Sequence, residues 1–209
     1  MTEQALDHSP IEHVLVIIPT YNEAENIRGI VARLRRCVPS AHVLIADDNS
    51  PDGTGKIADE LAAVDSNIQV LHRPGKQGLA AAYLAGFQWG LDNGYDALVE
   101  MDADGSHRPE LLPNLLRALA DADMVKGSRW VSGGRTDQEW YRELLSRGAN
   151  IWIQVMMDLP VHDSTGGYNA FRASILRKIG LHNVESKGYT FQVDMTRRVI
   201  AAGGKVAEV

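Results

Sequence analysis

The sequence predicts an α/β domain with a mostly parallel central sheet and helices on both faces. Three observations carry this expectation. Short apolar, β-rich runs alternate four times with helical stretches between Val14 and Met101, the connections are short, and each run ends in a cluster of polar residues. Parallel neighbours require right-handed crossovers, so the loops after all four strands must open on one edge of the sheet.

Each element follows from its residues. Val14 to Ile18 is the first strand, ended by Pro19, which lacks a ladder donor. Asn22 reads as a helix N-cap, with Glu23 and Glu25 in the first turn and Ile27, Ile30, Val31 and Leu34 at helical spacing. Val43 to Ala46 is the second strand and runs into Asp47-Asp48-Asn49-Ser50. Pro51-Asp52-Gly53-Thr54-Gly55 is turn chemistry, and Ile57, Leu61 and Val64 stripe the helix after it. Ile68 to Leu71 is the third strand, ending at His72-Arg73-Pro74-Gly75-Lys76. Gly78 to Trp89 is a helix rich in Ala and Gly, whose small residues permit a close seat on the sheet. Ala97 to Met101 is the fourth strand. Beyond it, Met124 to Lys126 reads as a strand, Ser164 to Phe171 as a turn into a strand, and Ser174 to Ile179 and Phe191 to Ile200 as helices. Lys205 to Val209 begins a last strand, and a further C-terminal segment is expected beyond it.

The fourth strand leads into Asp102-Ala103-Asp104-Gly105-Ser106-His107. Extended backbone alternates its side chains, so Asp102 and Asp104 can face the same way. Two close carboxylates repel unless a cation lies between them, and a divalent ion with hard oxygen ligands meets that need. Gly105 frees the turn, Ser106 offers another oxygen, and Pro109 with Glu110 suits the start of a helix. Alone, the stretch fits a solvated acidic turn equally well. The company it keeps argues otherwise. Tyr21 and Glu23, Asp47 and Asp48, Arg73 and Lys76, and the acidic pair gather at one rim while the strands stay apolar.

Composition narrows the class. There are 27 acidic residues against 21 basic ones, a formal net charge of −6, which argues against a nucleic-acid partner. Cys37 is the single cysteine, so no intrachain disulfide can form, in keeping with a reducing compartment. Residues 1–12 are polar, without the apolar stretch of a signal peptide, and are expected to be a flexible terminus ahead of a catalytic domain at 13–209. No run is apolar and long enough to span a bilayer. Val131 to Gln138, with its two glycines, reads as a mobile loop that could close over a substrate. Trp130, Trp140 and Trp152 flank it, as core residues or as the lining of a lipid groove.

Seven stretches together resemble one family. They are Ile18 to Glu23, Ala46 to Thr54, Asp102-Ala103-Asp104 with Ser106-His107, Lys126 to Arg129, Ser146 to Ala149, Thr165-Gly166-Gly167 and Gly188 to Gln192. In order and spacing the chain resembles the inverting family 2 glycosyltransferases with a single GT-A (Rossmann-like) domain. More narrowly, it is similar to the dolichyl- or polyprenyl-phosphate mannosyltransferases. The resemblance implies GDP-mannose as donor, a polyprenyl monophosphate as acceptor, and a site at the cytoplasmic face of a membrane, reached peripherally or through a membrane-anchoring partner. It places Pro19, Tyr21, Glu23, Ala46 and Asp48 on the nucleoside, with Ala103 also against the donor. Asp102, Asp104 and Ser106 would hold Mg²⁺ or Mn²⁺ against the diphosphate, making Asp102 and Asp104 the catalytic pair. Arg129 and Arg147 would grip phosphates.

The residues themselves leave other roles open. Tyr21 also fits plain packing, Glu23 a helix-dipole partner, Asp47 a cap, Arg129 and Arg147 surface ion pairs, and Lys187 a solvated side chain. Some relatives carry Gln where Ser106 stands, so a water may bridge the shorter hydroxyl to the metal. An acceptor phosphate has a second pKa near ~6 and is already anionic at neutral pH, so no general base is strictly required. Asp194 stands near where related transferases place one. Other classes lack their signatures. No Gly-x-Gly-x-x-Gly follows the first strand, as a dinucleotide-binding oxidoreductase requires, nor does the glycine-rich, lysine-bearing loop of many nucleotidyltransferases. Glucosyl transfer on the same fold, or a nucleotide-sugar-binding module without turnover, remains compatible with the sequence.

Overall fold

The computed structural model describes residues 9–128, 161–186 and 188–209. Its strands are β1 (Val14–Thr20), β2 (His42–Asp47), β3 (Ile68–His72), β4 (Ala97–Glu100), β5 (Met124–Lys126), β6 (Asn169–Arg172) and β7 (Val206–Glu208). Its helices are α1 (Ile27–Cys37), α2 (Thr54–Val64), α3 (Leu79–Asp92), α4 (Leu112–Ala118), α5 (Ala173–Ile179) and α6 (Tyr189–Ala201). Single 3₁₀ turns occur at Pro109–Leu111 and Leu181–Asn183.

The seven strands form one sheet in the order β3-β2-β1-β4-β6-β5-β7. The four alternating units pair in parallel, as the sequence predicts, and β5 pairs in parallel with β7. Only β6 runs against its neighbours, with Leu98 opposite Phe171 and Val125 opposite Ala170. Side-chain alternation along the buried strands fills a core on each face. Val16, Ile18, Val43, Ile45 and Val99 pack with Ile27, Leu34, Leu112 and Leu115 of α1 and α4. Leu15, Ile17, Leu44 and Leu98 pack with Tyr83 and Phe87 of α3, Leu176 of α5 and Met195 of α6. No helix among the described residues is long and apolar enough to cross a membrane.

Two differences from the sequence reading bear on the post-β1 loop. β1 continues through Pro19 to Thr20, in register with Ala46 and Asp47 of β2. Asn22 does not cap α1. Its backbone is left-handed at φ 62°, and the helix begins at Ile27 with Asn26 at the N-cap. A tertiary tie replaces the cap: Asn22 N–H donates to Ser50 Oγ at 3.1 Å and Glu23 N–H to Thr54 Oγ1 at 2.9 Å. These bonds hold the post-β1 loop open against the post-β2 loop, so it cannot wind directly into a helix.

α3 sits very close to the sheet, and its glycines are the reason. A Cβ on Gly86 would lie 2.5 Å from Ile17 Cγ2, and one on Gly90 would collide with Leu98. A larger residue at either position would hold the helix away from β1 and β4.

Candidate active site

Strand order reverses at β1: the chain winds outward to β3, then returns to place β4 on the other side of β1. Open α/β sheets bind ligands at the carboxyl ends of strands beside such a reversal. A cleft of about 250 Å³ lies there. The post-β1 loop contributes Pro19, Thr20, Tyr21 and Glu23, and the post-β2 loop Asp48. The segment from β3 into α3 contributes Lys76, Gly78, Leu79 and Ala82, and the post-β4 turn Asp102, Ala103 and Asp104.

The structure thus brings together Pro19, Tyr21, Glu23, Asp48, Asp102, Ala103 and Asp104. Ala46 is fully buried in β2, and Ser106 is exposed on the turn; neither lines the cleft. Arg129, Arg147, the 131–138 loop, Trp130, Trp140, Trp152 and Lys187 lie outside the described residues.

Neighbouring groups fix the loops. Asp47 is 2% exposed and accepts from Thr20 Oγ1 at 2.9 Å, Ser50 Oγ at 2.6 Å and Ser50 N–H at 3.1 Å, the capping role its position allowed. Asp48 forms a buried ion pair with Arg73 and accepts from Gln77 N–H at 3.3 Å. It therefore anchors the loop that presents Lys76. Its carboxylate still borders the cleft, where spare lone pairs can accept from a ligand. Lys76 Nζ stands 4.2 Å from the Tyr21 ring centroid, a cation–π contact at the mouth.

The acidic turn is held from several sides. Gly105 takes a φ of +83°, and Ser106 N–H donates to Asp104 Oδ1 at 2.9 Å, which closes the turn and leaves Asp104 exposed. Asp102 N–H donates to His107 Nδ1 at 2.9 Å, and His107 Nε2 lies 3.8 Å from Asp102 Oδ2. His107 stacks on Tyr168, with ring centroids 5.1 Å apart and planes 9° from parallel. A Cβ on Gly167 would come within 3.3 Å of His107. The Thr165-Gly166-Gly167 motif is thus a close-fitting support for the acidic turn. Tyr83 Oη donates to Asp102 Oδ1 at 2.6 Å. Burial, and then the Asp102 charge, raise the Tyr83 phenol well above its ordinary value, so it keeps its proton.

Beneath the turn lies a buried polar network that sequence reading missed. Lys126 Nζ donates to Asn169 Oδ1 at 2.9 Å and Gly166 O at 3.3 Å. Asn169 Nδ2 donates to Glu100 Oε2 at 2.7 Å and Gln192 Oε1 at 2.8 Å. Burial pushes the Glu100 carboxyl up to about 8, against the pull of the Asn169 hydrogen bond and the Lys126 charge. The sequence signal was a charged residue inside each of two apolar strands, at Glu100 and Lys126. Asp194, the other acid singled out, is not among the described residues that line the cleft; it accepts from Arg198 Nε and Ser186 Oγ, each at 3.0 Å.

The donor set suits a hard divalent ion. Asp102 and Asp104 both face the cleft, and among the described residues no group of three or more His, Cys, Asp or Glu is placed to hold a metal. Two carboxylates with a shell completed by phosphate oxygens and water is how Mg²⁺ usually binds.

Relatives match most of the chain. The chain is 53% identical over 203 residues to the polyprenol monophosphomannose synthase of Mycolicibacterium smegmatis, covering 96% of this chain and 77% of that one. It is 53% identical over 197 residues to the undecaprenyl-phosphate mannosyltransferase of Micrococcus luteus, covering 94% of this chain and 81% of that one. Solved folds agree at lower identity. A mannosyltransferase of Pyrobaculum calidifontis, in complex with GDP-Man and Mn²⁺, superposes with a TM-score of 0.63 at 19% identity, over 98% of this chain and 56% of that one. A glucosyl-3-phosphoglycerate synthase of Mycobacterium tuberculosis, with Mn²⁺, UDP-glucose and phosphoglyceric acid, gives 0.68 at 20% identity, over 95% of this chain and 69% of that one. The glycosyl transferase family 2 model matches residues 15–180, so the chain, with its cleft at the strand reversal and its acidic turn after β4, belongs to that family.

Proposed function

We propose that the chain transfers a mannosyl group from GDP-mannose to a polyprenyl monophosphate, with inversion at the sugar carbon. One observation carries the reading: Tyr21, Glu23 and Asp48 line one cleft together with the Asp102–Asp104 pair. The 53% identity to relatives named for mannosyl transfer to polyprenyl phosphates selects the sugar and the acceptor class.

The chemistry follows from these groups. Tyr21 offers an aromatic face to the base, and Glu23 and Asp48 accept hydrogen bonds from a guanine edge. Asp102 and Asp104 would hold Mg²⁺ or Mn²⁺, which when bound neutralises charge growing on the departing diphosphate. An acceptor phosphate oxygen attacks the anomeric carbon from the face opposite GDP. The new C–O bond forms as the bond to the β-phosphate oxygen breaks, and its electron pair leaves on GDP. With a second phosphate pKa near ~6, the nucleophile needs no proton removed at neutral pH. Asp194, paired with Arg198, stands outside this sequence of events. Because the acceptor is a lipid, the cleft works at a membrane surface, which we place on the cytoplasmic side.

The test is direct. The chain is incubated with labelled GDP-mannose, Mn²⁺ or Mg²⁺ and a polyprenyl phosphate, and label is counted in the organic phase. Transfer is expected for the wild type and not for Asp104→Asn, with UDP-glucose a poor substitute donor. No transfer by the wild-type chain would favour a binding module, and full activity of Asp104→Asn would overturn the metal assignment.

A further inference from the structure

We propose that Tyr83 is a positioning residue for the metal-binding carboxylate, its phenol fixing the rotation of Asp102 so that the acidic pair is ready for a divalent ion. This rests on the reading of Asp102 and Asp104 given above.

A lone carboxylate at a cleft mouth turns freely about its last bond, and every metal-binding event must then stop that rotation. Groups beyond the ligands usually prevent it, and losing one typically weakens metal affinity by about 10–100-fold. Here Asp102 is gripped through one oxygen. Oδ1 takes the Tyr83 hydrogen bond at 2.6 Å, while Oδ2 faces His107 Nε2 at 3.8 Å. An ionised carboxylate only accepts, so the phenol must be the donor. The short distance marks a charge-assisted bond. The backbone of Asp102 is tied as well, through its N–H to His107 Nδ1. Rotation and position are therefore both determined before a ligand arrives.

Tyr83 can do this because it cannot itself move. It is 1% exposed on α3, and its ring stacks on Phe87 with centroids 6.3 Å apart. Phe87 meets Phe171 of β6 edge-on at 5.4 Å. The helix carrying it is held at close range by Gly86 against Ile17 and Gly90 against Leu98. The phenol thus reaches Asp102 from a packed helix, whereas His107 belongs to the turn itself. Nothing in the donor chemistry requires Tyr83 to touch substrate; it acts through Asp102.

The experiment measures Mn²⁺ binding in the presence of GDP, from the loss of the free-ion electron paramagnetic resonance signal, for the wild type, Tyr83→Phe and Val31→Ala, the last in the α1 core on the other face of the sheet. Phenylalanine keeps the ring packing and removes only the hydroxyl, and thermal melting confirms that it folds. Tyr83→Phe is expected to bind Mn²⁺ at least about 10-fold more weakly. In transfer assays it should need correspondingly more metal for half-maximal rate, with the rate recovering at saturation. Val31→Ala should melt earlier yet bind Mn²⁺ as the wild type does. Wild-type affinity in Tyr83→Phe overturns the inference while leaving the proposed function standing. Equal weakening in Val31→Ala also overturns it, because general loosening would then explain the loss. A wild-type chain that transfers mannose but takes up no Mn²⁺ overturns the metal reading and this inference with it.

Discussion

Gly86→Ala tests whether the close seat of α3 governs both stability and the site. An added Cβ would lie 2.5 Å from Ile17 Cγ2 and 3.2 Å from its Cγ1, where carbon atoms normally rest ~3.5–4.0 Å apart. The helix or the strand must therefore shift by about 1 Å. Ile17 is fully buried and β-branched, so it has little rotamer freedom with which to retreat. Overpacking of this kind costs about 1–3 kcal/mol, and replacing a mid-helix glycine by alanine returns about 0.5–1 kcal/mol. The net expectation is a loss of about 1–2 kcal/mol, since the buried strand cannot relax as a surface would. Gly29 is the control. It is an exposed α1 residue with no atom within 4 Å of an added Cβ, so Gly29→Ala should gain about 0.5–1 kcal/mol. Urea unfolding should move the midpoints in opposite directions, with each 1 kcal/mol shifting the melting temperature by about 2–4 °C in a chain of this size. The consequence reaches the cleft, because Tyr83 lies one turn before Gly86 and an outward step of α3 stretches its 2.6 Å bond to Asp102. Gly86→Ala should therefore also weaken Mn²⁺ binding although no residue of the acidic turn is substituted. A Gly86→Ala protein as stable as the wild type would refute the packing argument and the coupling built on it.

Asp194→Asn should leave transfer within a few-fold of wild type, about 1 kcal/mol in barrier, since its partners are Arg198 and Ser186. A loss as deep as that of Asp104→Asn, in the same organic-phase assay, would show that a general base is needed. Asp65→Asn probes the tie between α1 and the end of α2. The Asn67 N–H and then Arg35 hold the Asp65 carboxyl below its ordinary 3.8, so its stabilisation is present at neutral pH and lost as pH falls through the lowered value. The variant should be about 1 kcal/mol less stable at pH 7, the gap closing towards pH 3 in denaturant titrations; a gap independent of pH would contradict the assignment.

Hydrophobic periodicity was enough to read the fold because it records burial directly. β1 alternates Leu15 and Ile17 against Val16 and Ile18, and the structure places those pairs in different cores. The rim residues were legible for a related reason: polar side chains at the ends of apolar strands can only lie at a sheet edge. What failed to show were contacts decided by distances across the fold. Asn22 has the right chemistry for an N-cap, yet the bonds that its N–H and that of Glu23 donate to Ser50 and Thr54, beyond α1 and β2 in the chain, outweigh that local preference. Tyr83 carries no signal of its own in a small-residue helix, because its partner is 19 residues away and comes within reach only through the glycine-set approach of α3.

The buried network shows why such contacts matter for the chemistry. Glu100 lies two residues before Asp102 on the same strand path, so its carboxyl sits beneath a carboxylate pair that is already crowded with like charge. Left ionised and unpartnered, it would raise the cost of keeping Asp102 charged. Burial, which pushes the carboxyl up to about 8, favours its uncharged form, while Asn169 donates to it from β6 and the Lys126 ammonium on β5 offsets like charge around it. The antiparallel strand β6, the one departure from the parallel pattern, is what inserts Asn169 between β4 and β5. The irregular half of the sheet is therefore the part that makes an acidic turn tolerable at the end of an otherwise apolar strand.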